Sequence, residues 1–172
     1  YAQALRFASR VLAEAPEDPR ALVISARAHL LAQDNDAAAQ AFRAAIRASV
    51  DRPDAFHGLL ECYPDVAAKR EALGFIHRQL LEQVTFGDGV QAFVALARRF
   101  LTDEEVAAFV DQVIAERPDL WQSWLAAAHF HRDVRHLDRA LECIQEGCRR
   151  FPLIPRLWLE SGRLRVLADD TE

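Results

Sequence analysis

Residues 118–128 read PDLWQSWLAAA, and residues 152–162 read PLIPRLWLESG. Pro118 and Pro152 stand 34 positions apart, and so do Trp124 and Trp158. The step recurs along the chain. Alanines occupy positions 4, 38, 72 and 140, Val106 fills the intervening place, and Pro19 and Pro53 keep the same interval. A fixed period of this length is the signature of a stacked repeat protein, in which each unit buries its apolar face against its neighbours. It points to a binding scaffold rather than an enzyme.

Laid out at this step, residues 19–52, 53–86, 87–120 and 121–154 form four full units of one array over 1–172. Residues 1–18 are the second half of an earlier unit, and residues 155–172 the first half of a later one. Within a unit, position 4 holds Leu22, Phe56, Val90, Trp124 and Trp158. Position 8 holds Ala26, Leu60, Val94, Ala128 and Gly162, and position 20 holds Ala4, Ala38, Ala72, Val106 and Ala140. Position 32 is Pro16, Val50, Val84, Pro118 and Pro152. An aromatic at 4, small residues at 8 and 20, a bulky residue at 24 and proline at 32 resemble the tetratricopeptide repeat family. The resemblance covers the whole chain without an insertion. It implies an all-α, right-handed solenoid of antiparallel helix pairs. Unit 87–120 departs furthest, with valine at several of these places, and unit 53–86 carries Pro64 inside its first helix.

Local signals mark the helix ends. Thr102 with Glu105 forms a capping box, and Asp119 with Gln122 is read in the same way. Asp34-Asn35-Asp36 breaks one helix and caps the next. Pro64-Asp65 ends a helix early, because the residue before proline is pushed out of the helical region. Gly87-Asp88-Gly89 reads as a turn. Ten helices are expected, near 2–15, 20–32, 36–48, 54–63, 66–84, 89–100, 103–116, 120–132, 136–150 and 155–168. Small residues at positions 8 and 20 let the two helices of a unit approach closely, and the tryptophans at position 4 read as packing.

Composition narrows the function. No apolar run approaches the roughly 20 residues that span a bilayer, no secretion leader opens the sequence, and membrane insertion is not expected. A net charge of −5 argues against general nucleic-acid binding. The absence of methionine points to a fragment or processed form, and a cytoplasmic setting is expected. Nucleophile elbows, phosphate loops and zinc-protease motifs are missing, so no catalytic residues and no cofactors are assigned. His129, His131 and His136 with Cys143 and Cys148 make the nearest approach to a metal set. His129 and His131 point to different faces of one helix, and His131 sits at core position 11, as His29 does. It reads as a satisfied packing histidine, and no metal is expected. Three unpatterned cysteines read as reduced, half-buried thiols.

One face stands apart. Positions 2, 5, 9 and 12 of each first helix share a side roughly opposite position 4. In the resembled family these positions line a concave groove that holds a peptide. They carry Arg20, Arg27, Arg98, Arg132, Arg156 and Arg163 against Asp54, Glu61 and Asp88. His57, Gln91, Gln122 and His129 complete the candidate groove, and Leu30, Leu125 and Leu159 offer apolar contacts. Six arginines against three acids make this face positive on a negative chain. Arginine pairs with carboxylates through two parallel hydrogen bonds, so an acidic peptide or protein segment is the expected partner. His57 and His129 are expected to add affinity below about pH 6.5. Self-association through the array ends is a further expectation. Two other readings stand beside the scaffold. One is the docking arm of a larger enzyme. The other is the half-repeat type of RNA-processing assemblies, suggested by Pro152 to Glu160.

Overall fold

The computed structural model describes residues 1–85 and 87–169. Among the described residues there are ten α-helices and no strand. They are α1 (Ala2–Glu14), α2 (Pro19–Leu31), α3 (Asn35–Ala48), α4 (Pro53–Glu61), α5 (Val66–Glu82), α6 (Gly89–Ala97), α7 (Asp103–Glu116), α8 (Trp121–Asp133), α9 (Leu137–Arg150) and α10 (Pro155–Asp169). No helix among the described residues is long and apolar enough to cross a membrane.

The caps explain most boundaries. Asp18, Asp34 and Asp65 each accept a hydrogen bond from the backbone N–H three residues on, at 2.7, 3.1 and 2.7 Å. Such caps satisfy donors that the first turn leaves open. Thr102 and Glu105 close a reciprocal capping box at 3.3 and 2.9 Å. The expected box at Asp119 does not form. Leu120 is the N-cap of α8 without a side-chain bond. Arg117 instead grips the Asp119 carboxylate at 3.1 and 3.0 Å. Three helices stop two or more residues short of expectation, α5 among them at Glu82. Pro64 ends α4 at Glu61. At the end of α6, the N–H groups of Phe100 and Leu101 both turn back to the Ala97 carbonyl at 2.9 Å.

Contacts divide the chain into two compact units, the first spanning Tyr1–Leu96 and the second beginning at Ala97. In the first, α2 packs against α3. Ala26 and Ala38, the small residues of positions 8 and 20, are completely buried. Phe42, Phe56, Leu59, Leu73, Ile76 and Leu80 fill the core. Where the repeat pattern asks for proline, this unit has Val50, and polar ties hold the strand of chain there. The Gln83 amide accepts from Val50 N–H at 3.0 Å and donates to the Ile46 carbonyl at 3.0 Å. Asp51 accepts from the N–H groups of Gly87 and Gly89 at 2.9 and 3.2 Å. A Cβ on Gly89 would stand 2.8 Å from the Val50 carbonyl, so only glycine admits this approach.

In the second unit, α8 packs against α9, with Ala128 and Ala140 completely buried between them. The motif that set the repeat reading has a direct structural role here. Trp124 Nε1 donates to the Pro118 carbonyl at 3.2 Å, and Trp158 Nε1 donates to the Pro152 carbonyl at 2.9 Å. Each indole ties its own helix to the turn that precedes it. Trp124 is buried, while Trp158 is 53% exposed. All three cysteines are free and buried rather than half-buried. Burial pushes the Cys62 and Cys143 thiols up to about 11, which leaves them inert near neutrality.

Gly58 tests the packing. A Cβ there would collide with the Phe42 ring, which is completely buried. Gly58→Ala is expected to lower the unfolding free energy by about 1–3 kcal/mol, the usual range for overpacking. Gly74→Ala, with only Arg78 near, should stabilise its helix by up to about 1 kcal/mol. Urea titration of both variants distinguishes the two signs.

Candidate partner-binding faces

In the first unit, α2 turns Arg20, Ile24, Arg27 and Leu31 to solvent. Steps of four, three and four residues keep them on one side of the helix. Val23, expected on this face, is buried, so the exposed stripe runs through Ile24 instead. Arg20 and Arg27 have no ion-pair partner among the described residues. His57 is exposed on α4, which packs beside α2. Of the acids expected on this face, Asp54 is taken by Arg52, at 3.0 and 2.6 Å. Gln91 on α6 is half-buried.

In the second unit the arginines are engaged by the protein itself. Arg98, just past α6, lies 3.4 Å from both Asp103 and Asp133. Arg132 holds Asp133 at 3.1 and 2.9 Å and reaches Glu160 at 2.7 Å. His129 Nε2 lies 3.2 Å from the same Glu160 oxygen, and Arg163 stands 3.5 Å from the other. The Glu160 side chain is only 5% exposed. A carboxylate so buried is tolerated because three donors surround it. The positive charge counted on this face is thus balanced by Asp103, Asp133 and Glu160. Position counting missed them because Asp133 and Glu160 sit one step from the counted positions and reach across. Still exposed on α10 are Arg156, Leu159, Arg163 and Val166, with Arg163 keeping its contact to Glu160. The Arg156 guanidinium stands 5.8 Å from the centre of the Trp121 ring.

Three expected face residues are wholly or partly enclosed, among them Leu125, which is buried and offers no apolar contact to a partner. Gln122 is 7% exposed, because every residue from 122 to 128 of α8 is buried. A helix covered all round has no open face. His129 is half-buried, and burial holds its imidazole below the ordinary range, although Glu160 draws it up. Charging of His129 therefore begins at lower pH than the sequence alone indicates. His129 and His131 do diverge, the first toward Glu160 and the second toward the α9 side. No group of His, Cys, Asp and Glu able to hold a metal ion occurs among the described residues.

The buried carboxylate carries its own test. Glu160→Ala leaves Arg132 and His129 without their shared acceptor, and a loss of about 1–3 kcal/mol in unfolding free energy is expected. Glu142→Ala removes the exposed pair with Arg139 and should cost less than about 1 kcal/mol. Equal effects in a denaturant titration would contradict the account of Glu160.

Comparison with known proteins agrees with this geometry. Residues 121–164 match the family model described as tetratricopeptide repeat. No curated protein matches the chain. Among solved structures, the chain is similar to a thermophilic tetratricopeptide-repeat protein of Thermus thermophilus. The identity is 17% with a TM-score of 0.55, over 94% of this chain and 89% of that one. It is also similar to YrrB, a repeat protein of the same kind with an unusual peptide-binding site. There the identity is 11% and the TM-score 0.47, over 96% and 85% of the two chains. Residues 121–164 match the tetratricopeptide repeat, and the chain shares its all-helical fold with a solved tetratricopeptide-repeat protein.

Proposed function

We propose that the chain is a non-catalytic protein-interaction scaffold, and that its first-helix faces take an extended or helical segment carrying both carboxylates and aliphatic side chains. The observation that carries this reading is the same pattern in both units. Arg20, Ile24, Arg27 and Leu31 on α2, and Arg156, Leu159, Arg163 and Val166 on α10, alternate arginine with aliphatic residues and are exposed. Single exposed apolar residues are ordinary, but stripes of this kind mark interaction surfaces. The guanidinium supplies a planar fork for a carboxylate, and the aliphatic neighbours supply area. His57, on α4 beside α2, flanks the stripe of the first unit, and Gln91 on α6 is assigned to the same partner. In the second unit, Arg98 and Arg132 position the network, while Arg156 and Arg163 meet the partner.

In this reading the repeat register is continuous over 1–172. Self-association through the terminal helices is the second part of the proposal, carried by the exposure of Phe7 on α1 and Trp158 on α10. It predicts a concentration-dependent mass in sedimentation, which Phe7→Ser and Trp158→Ser abolish.

Selection from a random peptide library against the chain is expected to enrich segments rich in Asp or Glu with interspersed Leu, Ile or Phe. Binding of such a segment, followed by calorimetry, should weaken with added salt. Arg27→Glu should weaken it by at least about tenfold with an unchanged circular dichroism spectrum, the effect of turning one charge-assisted contact into a repulsion. Enrichment of basic or purely polar segments, or Arg27→Glu without effect, would contradict the proposal.

A further inference from the structure

We propose that the α8–α9 pair of the second unit is an acid-sensitive latch. Protonation of His131 opens it under conditions in which the matching α2–α3 pair stays closed. This goes beyond the partner reading and does not rest on it.

The two pairs share one backbone device. His29 and His131 occupy the same repeat position, three periods apart, and so do Asp34 and His136. In the first unit the His29 carbonyl accepts the Asp34 N–H at 3.0 Å; in the second the His131 carbonyl accepts the His136 N–H at 2.8 Å. Between them, Gln33 and Arg135 stand in the left-handed region at φ 60° and 62°. This αL closure fixes how the two side chains of each turn face one another.

The side chains then differ in sign. In the first unit, His29 Nδ1 lies 3.7 Å from an Asp34 carboxylate oxygen, and the imidazole is partly open to water. In the second, the place of the carboxylate is held by a second imidazole. The His136 ring stacks on His131 with centroids 6.4 Å apart and planes inclined by 28°. His131 is 6% exposed, and neither of its ring nitrogens has a hydrogen-bond partner among the described residues. The expectation of a buried histidine holds, but not of a satisfied one. The charged groups facing it are Asp111 from α7, Arg139 and Glu142 from α9, and His136 from the turn. Arg139 takes Glu142 at 2.8 Å and lies 3.8 Å from Asp111. Both carboxylates are engaged, and neither is bonded to His131.

A proton on His131 would therefore be buried beside a second imidazole without an acceptor. Burial holds this imidazole below its ordinary value; Asp111 and Glu142 oppose that, and Arg139 and His136 reinforce it. In the open pair His131 regains the ordinary value of about 6.5. Opening then takes up a proton. The closed pair keeps its full stability above about pH 6.5 and loses it as pH falls toward the depressed value of the closed state. Within that window the opening constant rises up to about tenfold per pH unit. In the first unit a carboxylate, that of Asp34, faces His29 in place of a second imidazole.

Amide hydrogen exchange of the full chain, corrected for intrinsic rates, reads both pairs at once. Between about pH 6.5 and 5.5 the amides of α8 and α9 are expected to lose protection up to about tenfold relative to those of α2 and α3. His136→Asp copies the arrangement of the first unit at an exposed position and should remove this difference; His131→Leu should do the same by deleting the titrating group. Parallel loss in both pairs, or a difference that survives His136→Asp, would overturn the proposal. So would a wild-type His131 resonance that titrates at or above about 6.5 while α8 and α9 remain protected.

Discussion

The close approach of paired helices at small residues is the constraint from which the rest follows. Ala26 with Ala38, and Ala128 with Ala140, are completely buried where α2 meets α3 and α8 meets α9. A larger side chain at any of them would force the axes apart, since interiors at crystal-like density have no slack. Close pairing fixes which helix side faces inward, and so which residues remain outside. The exposed stripe on α2 follows from it, and so does the enclosure of α8.

Around that contact, local devices repeat and then diverge. The Trp124 and Trp158 indoles grip the preceding turns in the same way, and the αL turns after α2 and α8 are alike. The chemistry hung on these shared frames differs between units. Asp34 in one turn becomes His136 in the next, and free arginines on α2 become paired arginines around Glu160. Repetition supplies the scaffold, and variation at matched positions supplies whatever is specific to each unit. A repeat protein can change its response to pH or charge in one unit without altering its fold, because stability is largely nearest-neighbour.

The fold was readable because its signals are periodic or local. The 34-residue step needs no knowledge of distant contacts, and Thr102, Asp34 and Asp65 cap helices through groups three residues away. Non-local polar contacts were not readable. Gln83 reaching Ile46, and Asp51 reaching Gly87 and Gly89, join segments more than 30 residues apart. The same limit governs the candidate faces. Arg132 stands on its helix as read while Arg98 lies just past α6, and the partners of both, Asp133 and Glu160, lay outside the counted positions and neutralise them in space. Gln122 shows the complementary error. A helix position says which side a residue occupies, and only the neighbouring helices decide whether that side is open.

The most direct test of the central contact compares two leucines on one helix. Ala140→Leu places extra volume where α9 meets α8, and Gln145→Leu adds it at an exposed position of the same helix. By urea titration, Ala140→Leu should lower the unfolding free energy by about 1–3 kcal/mol, and Gln145→Leu should change it by less than about 0.5 kcal/mol. If both variants unfold at the midpoint of the parent, close approach at the small residues does not hold the pair together, and the account fails at its foundation.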